Sequence, residues 1–338
     1  MLLKTLCEIN GVSGNEGSVR QFILGRIQGL ADEIRVDSIG NILALKKGEK
    51  PGKTVMLAAH MDEVGLIISG ITDQGFLKFK TVGGIDTRVL ISKKVAVGEN
   101  RIPGVIGIKA IHLQEKAERE TVPKVKSLYI DIGAADKAQA EMLVQLGDYA
   151  AFDTEFAEFG DGKLKAKAID DRAGCMVLLD LIQRPCRYDT YFCFTVQEEV
   201  GLRGAQAAAS RIQPDIALVL EATTCSDVFG SKPHEYVTRL GEGVAVSFMD
   251  RSTIVPDRLR TWLYETARQE NIPVQYKNTT MGGNDAGAIH VACRGVPAAS
   301  LSIPCRYLHS PAGVAAWADI DAMESLAKLF LERIDEVI

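Results

Sequence analysis

The feature of this sequence that most constrains its fold is a change of pattern between residues 65 and 163. Before and after this stretch, short apolar runs typical of strands alternate with segments whose apolar residues recur at helical spacing. Within it, helical periodicity nearly disappears, and short β-rich runs are separated by Gly, Asn and Pro. Strands that alternate with helices predict a mainly parallel sheet covered by helices on both faces. We therefore expect an α/β fold in which residues 1–64 and 164–338 form one domain, and residues 65–163 form an inserted, small β-rich barrel or sandwich.

Two segments of the insertion depart from this β pattern. The stretch from about Asp136 to Leu146 predicts one helix inside the inserted domain. The charged run from Gln114 to Glu120 predicts a solvated or mobile loop.

Composition and charge narrow the kinds of partner. With 338 residues, of which 46 % are apolar and 25 % charged, the chain has the make-up of a globular protein with about two domains. Its formal net charge of −5 argues against nucleic acid and anionic membranes, because both reward a basic surface. The most apolar stretch, Val55 to Ile71, is interrupted by His60, Asp62 and Glu63, so no run reaches the ~20 residues that span a bilayer. We expect no nucleic-acid partner, no membrane segment and no secretory signal at the N-terminus.

The cysteines indicate a reducing compartment. There are seven of them, an odd number, and no pair has the spacing Cys-x-x-Cys. This pattern argues against both a disulfide framework and a four-cysteine zinc site. We expect most of them to be small, buried, apolar residues of a cytoplasmic protein.

A predicted strand that ends in polar residues is the first candidate for chemistry. The apolar run Val55 to Ala59 is followed by His60, and Asp62 comes two residues later. Because side chains alternate along a strand, His60 and Asp62 should point to the same side of the strand end. One can bind a metal while the other orients it. The alternative is a histidine that makes only a structural hydrogen bond.

Four further segments place metal-competent side chains at or near the ends of apolar segments: Asp170-Asp171, Glu198-Glu199, Glu221 and His309. In an α/β sheet the site usually forms in the crevice beyond the carboxyl ends of the strands. Each segment also has a structural alternative. One aspartate of the pair can cap the helix that follows, which leaves the other free to bridge metals. The glutamates can be solvated loop residues, and the histidine can belong to a turn.

Taken together, two histidines, two glutamates from separate strand ends and one aspartate could form a dinuclear metal site. Such mixed imidazole and carboxylate ligation suits Zn²⁺, Co²⁺ or Mn²⁺. No cysteine occurs in these motifs, which fits a catalytic site better than a structural zinc site. Of the adjacent Glu198 and Glu199, one would bind metal and the other would act as general base, since adjacent side chains point in different directions.

Seven different short motifs follow one another along the chain in a recognisable order: Gly11–Glu16, Ala59–Gly65, Val82–Gly84, Ile169–Arg172, Gln197–Gly201, Gly282–Ala286 and His309–Pro311. In this order the chain resembles the dinuclear-metal aminopeptidases of metallopeptidase family forty-two, which includes the tetrahedral and glutamyl aminopeptidases. The likeness covers nearly the whole length. It implies a metalloprotease that hydrolyses N-terminal residues from peptides with two divalent metal ions per subunit (Zn, Co or Mn).

The resemblance also assigns roles that spacing alone leaves open. It implies Glu198 as the general base and Asp62 as the residue that orients His60. The inserted domain would resemble the family's dimerisation domain, which helps to build homo-oligomers, either dimers or dodecamers. Five ligands would hold the two metal ions, with Asp170 bridging them: His60 and Glu221 on one ion, Glu199 and His309 on the other.

Two positions depart from the family pattern, and two other functions stay open. Glu221 stands where many relatives carry Asp, and Asn284 stands where Thr is expected in the motif Gly-Gly-x-Asp. One alternative function is a metal-independent glycoside hydrolase of the endoglucanase type, in which a retaining enzyme needs two carboxyl groups about 5–5.5 Å apart. The other is a non-catalytic assembly protein, which the complete set of acidic and histidine residues argues against.

Overall fold

The fold is described from a computed structural model that covers residues 1–338. It contains nine α-helices: α1 (Leu2–Glu8), α2 (Gly17–Ile27), α3 (Lys116–Glu120), α4 (Lys137–Leu143), α5 (Ile169–Leu181), α6 (Arg203–Ile212), α7 (Asp257–Gln269), α8 (Asp285–His290) and α9 (Trp317–Glu332). Five short 3₁₀ turns lie at Thr87–Val89, Ile111–Leu113, Val125–Ser127, Pro233–Glu235 and Ile334–Glu336. None of the helices combines the length and the hydropathy that crossing a membrane requires.

The chain also forms seventeen strands, numbered in chain order: β1 (Glu33–Val36), β2 (Ile42–Lys46), β3 (Thr54–His60), β4 (Gly65–Ile71), β5 (Leu77–Val82), β6 (Lys94–Val97), β7 (Ile102–Ile108), β8 (Leu128–Asp131), β9 (Tyr149–Phe152), β10 (Ala157–Phe159), β11 (Lys163–Ala166), β12 (Asp189–Thr195), β13 (Ile216–Thr224), β14 (Val244–Val246), β15 (Val274–Tyr276), β16 (Ala298–Cys305) and β17 (Gly313–Ala316).

Eight strands form the main sheet in the order β1-β2-β12-β3-β13-β16-β14-β15. The four central strands, β12, β3, β13 and β16, run parallel to one another. Antiparallel pairs occur toward the edges, where β1 pairs with β2, β2 with β12, and β14 with β16. The predicted α/β fold with a sheet of parallel strands is therefore confirmed.

Helices cover both faces of this sheet, and β3 shows how the sequence achieves it. Val55, Leu57 and Ala59 pack into the core that includes residues of α1, α2, α5, α7 and α9. Met56 and Ala58 face the opposite core, which includes residues of α6 and α8. Because side chains alternate along a strand, a strand that is buried on both faces becomes a continuous apolar run.

The β-rich segment forms a closed six-stranded antiparallel barrel in the order β4-β5-β8-β7-β6-β9. It encloses a core of its own, which includes Leu66, Phe79, Val95, Ile106 and Phe152. Of the two predicted forms, barrel and sandwich, the structure has the barrel. After β9 the chain passes to β10 and β11, and β11 pairs with β17 in a separate three-stranded sheet.

The prediction of a loop for the charged run from Gln114 to Glu120 is wrong, because Lys116–Glu120 forms the exposed helix α3. A capping box explains the difference. The side chain of Glu115 accepts from the backbone of Glu118, and the Glu118 carboxylate accepts from the Glu115 amide at 2.8 Å. Local side-chain bonds of this kind satisfy the free amides of a first helical turn without any buried face.

The parallel strands bring the motifs together. The carboxyl ends of β12, β3, β13 and β16 lie at the same edge of the sheet, where α/β folds commonly place a site. Five of the predicted residues lie at or beyond that edge: His60 ends β3, Glu198 and Glu199 follow β12, Glu221 lies in β13, and His309 follows β16.

Candidate metal centre

The five residues predicted as metal ligands form two clusters that share Asp170. In the first cluster, His60 Nε2 lies 3.4 Å from Asp170 Oδ1 and 3.7 Å from Glu221 Oε2. In the second, His309 Nε2 lies 3.5 Å from Asp170 Oδ2 and 3.3 Å from Glu199 Oε2. Within each cluster one donor atom from each residue lies within 4.8 Å of the others. Asp170 therefore presents one oxygen to each cluster, which is the arrangement that a bridging carboxylate requires.

The donor atoms of the first cluster lack partners within the protein. His60 Nε2 and Glu221 Oε1 are buried, and neither has a hydrogen-bond partner. Buried polar atoms are nearly always paired, so two unpartnered atoms in the same cluster call for a ligand. His60 Nδ1 lies 3.0 Å from the backbone carbonyl oxygen of Asp62, which assigns the ring proton to Nδ1 and leaves the Nε2 lone pair free. Imidazole nitrogen with carboxylate oxygens is a donor set that fits a divalent transition metal.

Asp62 contacts more of the site than His60 alone. Its carboxylate accepts from Ser13 Oγ at 2.6 Å, from the Glu198 amide at 3.0 Å and from the Glu199 amide at 3.1 Å. Its Oδ1 atom lies 3.5 Å from His60 Nδ1. Burial raises the pKa of Asp62, but the bonds from His60, Ser13 and Glu198 outweigh it and hold this pKa below its ordinary value. The ionised carboxylate thus holds the loop that carries both glutamates.

The adjacent Glu198 and Glu199 have different surroundings. Glu199 belongs to the cluster around His309, whereas Glu198 belongs to neither cluster and lines an open cavity. Burial raises the pKa of Glu198 well above its usual range, and the nearby carboxylates of Asp285 and Glu199 raise it further. A carboxyl group with a raised pKa can take and return a proton near neutral pH.

The two aspartates at the start of α5 also differ in their contacts. Asp171 Oδ1 accepts from the Gly174 amide at 2.9 Å, and its Oδ2 accepts from the His60 amide at 3.3 Å. Asp171 therefore caps the helix and fastens it to β3. Asp170 is left to face the two histidines, so one aspartate has the capping contacts while the other has those expected of a bridge.

Sequence reasoning missed a buried ion-pair network beneath the centre. Lys167 Nζ lies 2.6 Å from Glu63 Oε1, and Arg172 Nη2 lies 3.5 Å from the same oxygen. Glu63 also accepts from the Gly11 amide at 2.9 Å, and the Arg172 guanidinium donates to the Ile9 carbonyl at 3.0 Å. Glu63 directly follows Asp62 in the motif Ala59–Gly65, and this position could have indicated a role for Glu63. Lys167 is 104 residues away from it, and nothing local marks the pair.

Asp285 is a further buried residue to which the sequence analysis gave no role. It is fully buried, its Oδ2 accepts from Thr195 Oγ1 at 2.6 Å, and its Oδ1 has no partner. Burial raises the pKa of Asp285 to about 6. The available signal was its place in the motif Gly-Gly-x-Asp. The preceding Asn284 accepts from the Ala286 amide at 3.0 Å and so caps α8.

The other histidines lie outside the centre. His112 lies in the exposed turn Ile111–Leu113, and His234 lies in the exposed turn Pro233–Glu235. His290 ends α8, and its Nδ1 lies 3.4 Å from the Val296 carbonyl oxygen.

A cavity of about 430 Å³ borders the centre. Asp170, Glu198, Glu221 and His309 contribute to its wall, so both clusters reach the same space. Other parts of the wall come from the end of β13 and from segments that follow β13 and β15: Thr223, Thr224, Val237, Lys277, Thr279 and Met281–Asn284.

Comparisons with known proteins agree on one class. The family model of the M42 glutamyl aminopeptidases matches residues 40–326. The chain is 42 % identical over 335 residues to a protein of Acetivibrio thermocellus to which aminopeptidase activity is ascribed, covering 98 % of this chain and 97 % of the relative. It is 32 % identical to the lysyl aminopeptidase of Pyrococcus furiosus (98 % and 96 % covered) and 32 % identical to the glutamyl aminopeptidase of Lactococcus lactis (91 % and 88 %).

Solved structures share the fold over the whole chain. The TET aminopeptidase from a marine sediment archaeon, Thaumarchaeota archaeon SCGC AB-539-E09, superposes with a TM-score of 0.95 at 36 % identity, covering 99 % of this chain and 97 % of that one. The TET1 peptidase of Pyrococcus horikoshii superposes with a TM-score of 0.87 at 33 % identity, covering 97 % and 98 %. It is described as assembling into a tetrahedron or a large octahedral shell.

Fold, paired clusters and relatives together define a metal-dependent aminopeptidase, a hydrolase of peptide bonds. The chain belongs to the M42 glutamyl aminopeptidase family.

Proposed function

We propose that this protein releases N-terminal residues from peptides at a dinuclear centre that Asp170 bridges. His60 and Glu221 would hold one divalent cation, and Glu199 and His309 would hold the other, with Zn²⁺, Co²⁺ or Mn²⁺ as the ions that suit these ligands. The observation that carries the proposal is the pair of contacts from Asp170, 3.4 Å from His60 Nε2 and 3.5 Å from His309 Nε2.

Glu198 is the general base in this proposal. Bound at these positions, the two cations would polarise a peptide carbonyl and lower the pKa of a water molecule. Glu198 lines the cavity where that carbonyl must lie, and it is not needed as a ligand in either cluster. Its carboxylate accepts the proton of the attacking water and then delivers it to the leaving amine, and a raised pKa suits a group that must take up and return a proton.

Asp62 is a positioning residue in the same proposal. By accepting from the amides of Glu198 and Glu199 it sets the base and one ligand relative to one another. Its backbone carbonyl orients the His60 ring through Nδ1. Substitution of a residue that holds a metal ligand in place typically lowers metal affinity or activity by about 10- to 100-fold.

Activity of the chelated and metal-restored protein tests the function. Aminoacyl p-nitroanilides should be hydrolysed after addition of Co²⁺, Zn²⁺ or Mn²⁺ and not after chelation. The same substrates with an acetylated amine should be left intact, because an aminopeptidase requires a free N-terminus. Activity on β-glucans that survives chelation would instead support the glycoside hydrolase, and stoichiometric metal without any hydrolysis would support a non-catalytic protein.

We further propose that residues 1–64 and 164–338 are the catalytic domain and residues 65–163 the assembly domain of a homo-oligomer. The separate core of the barrel supports this division. So do Ile111 and Leu113, which are 70 % and 60 % exposed on the barrel segment. Light scattering on the full chain should give a dimer or a dodecamer, and Leu113→Glu should lower the mass if this segment lies in the interface. A wild-type monomer would contradict the proposal.

A further inference from the structure

Lys277 is the only lysine or arginine that lines the cavity beside the metal centre. It directly follows β15, and its amide donates to the Val246 carbonyl at 3.1 Å, so its backbone is held by the sheet. The residue is only 7 % exposed. The remaining wall of the cavity is mostly small or polar, with Thr223, Thr224 and Thr279 among its members.

The ammonium group of Lys277 has no protein partner. No carboxylate oxygen lies within 4.0 Å of its Nζ, and this atom takes part in no hydrogen bond. The two other basic side chains that are this deeply buried, Lys167 and Arg172, both contact Glu63. A buried charge without a counter-charge is costly, so such a group is normally paired. The Lys277 Nζ atom is not completely shielded from solvent. The open space that Lys277 borders is the cavity.

We propose that Lys277 selects peptides whose N-terminal residue is acidic, by pairing its ammonium with the side-chain carboxylate of that residue. The inference rests on the proposed function, because it assumes that the cavity receives the N-terminal residue. An aminopeptidase must enclose one residue and let the rest of the peptide extend toward solvent. The enclosed residue therefore shares the cavity with a nearly buried cation, which can pair with an acidic side chain.

Family likeness alone does not decide this specificity. Two relatives with the same 32 % identity to this chain are named for opposite charges at the N-terminal residue, lysine in one and glutamate in the other. We therefore look for the preference in the residues of the cavity wall, where Lys277 is the one lysine or arginine.

Glutamyl and glutaminyl p-nitroanilides provide the test, since their side chains have nearly the same shape and differ in charge. Wild-type, metal-loaded protein should hydrolyse the glutamyl substrate with a kcat/KM at least about tenfold higher. Lys277→Met, which keeps most of the aliphatic stem, should lower kcat/KM for the glutamyl substrate by about 10- to 100-fold, as expected for a lost charged hydrogen bond. Its kcat/KM for glutaminyl and leucyl substrates should stay within about twofold of wild type. Lys80→Met, on an exposed barrel position, serves as the matched control and should change none of these values.

Two outcomes with the p-nitroanilides overturn the proposal. One is a wild-type protein without preference for glutamyl over glutaminyl substrates. The other is a Lys277→Met variant that loses all three substrates equally while keeping its melting temperature. Peptides such as Leu-Glu-Ala and Leu-Gln-Ala test the other possible source of a carboxylate. If Lys277→Met affects only the discrimination between these two, the ammonium reads the second residue and the proposal is wrong.

Calorimetric titration separates this inference from the proposed function. The wild-type protein should bind free L-glutamate more tightly than L-glutamine, and Lys277→Met should abolish the difference. If no aminoacyl substrate is turned over, the proposed function fails, yet the binding comparison still decides what Lys277 recognises. If substrates are turned over and the two amino acids bind equally, only the role of Lys277 is lost.

Discussion

The Nδ1 atom of His60 lies 3.0 Å from the backbone carbonyl oxygen of Asp62, whereas the Asp62 carboxylate Oδ1 is 3.5 Å from the same nitrogen. The ring is therefore oriented mainly by the backbone, and the carboxylate is left to accept from Ser13 and from the loop amides of Glu198 and Glu199. The backbone carbonyl of Asp62 thus orients the ligand His60, whereas its carboxylate positions the loop that carries Glu198.

Asp62→Asn tests this division. The substitution keeps the backbone carbonyl that contacts His60. It replaces one carboxylate oxygen by an NH₂ group, which cannot accept a hydrogen bond from the Glu198 or Glu199 amide. We expect kcat to fall by about 10- to 100-fold, with a smaller change in KM, because the base and one ligand lose their common anchor. Steady-state kinetics with saturating metal measures this. A variant with wild-type kcat would show that the loop is held without the carboxylate.

Glu198→Gln and Glu199→Gln should behave differently although the residues are adjacent. We expect Glu198→Gln to lower kcat by about 10²- to 10⁴-fold, the usual contribution of a general base, with metal content near that of wild type. Glu199→Gln should instead lose metal, because Glu199 Oε2 faces His309 Nε2 at 3.3 Å. Metal analysis of the dialysed proteins and single-turnover kinetics distinguish the two. Substantial turnover by Glu198→Gln would remove Glu198 from the role of base.

Lys167→Met should destabilise the protein by about 1.5–3 kcal/mol, because it removes the charged hydrogen bonds of Lys167 to the buried Glu63 carboxylate and leaves Arg172 as its one counter-charge. The double variant Lys167→Met/Glu63→Gln should lose less stability than the sum of the two single variants, since each single variant already removes the contact between these two side chains. Urea unfolding of the four proteins measures both effects. Additive losses would mean that the two side chains are not energetically coupled. Lys328→Met, in an exposed pair with Glu332, is the control and should change stability by less than about 1 kcal/mol.

Asp285 should make the stability of the protein depend on pH. Its pKa is about 6 in the folded protein, against about 3.9 in an unfolded chain, so the folded state binds more protons in this interval. Stability then decreases as pH rises from about 4 through 6, and this one group contributes a loss of about 3 kcal/mol. Asp285→Asn should flatten that slope while keeping an acceptor for Thr195. Urea unfolding at pH 5 and pH 8 checks it, and equal slopes in the two proteins would count against the buried, protonated Asp285.

Much of the site could be predicted because it follows local rules. His60 and Asp62 were recognised from an apolar strand that ends in polar residues, and Glu221 from the same pattern on another strand. Alternation along a strand and the common edge of parallel strands are properties of the backbone, so they can be inferred without knowing side-chain packing. The helix α3 was missed because a reciprocal cap, and not an apolar face, stabilises it.

Residue order alone predicts the α/β pattern, its interruption by a β-rich segment, and the residue types that meet at one edge of the sheet. Three contacts follow only from the packed fold: which Asp170 oxygen faces which histidine, the pairing of Glu63 with Lys167, and the position of Lys277 beside the cavity without a partner. The difference lies in the range of the interactions. Periodicity acts over a few neighbouring residues, whereas a contact across 104 residues depends on how whole layers of the fold pack together.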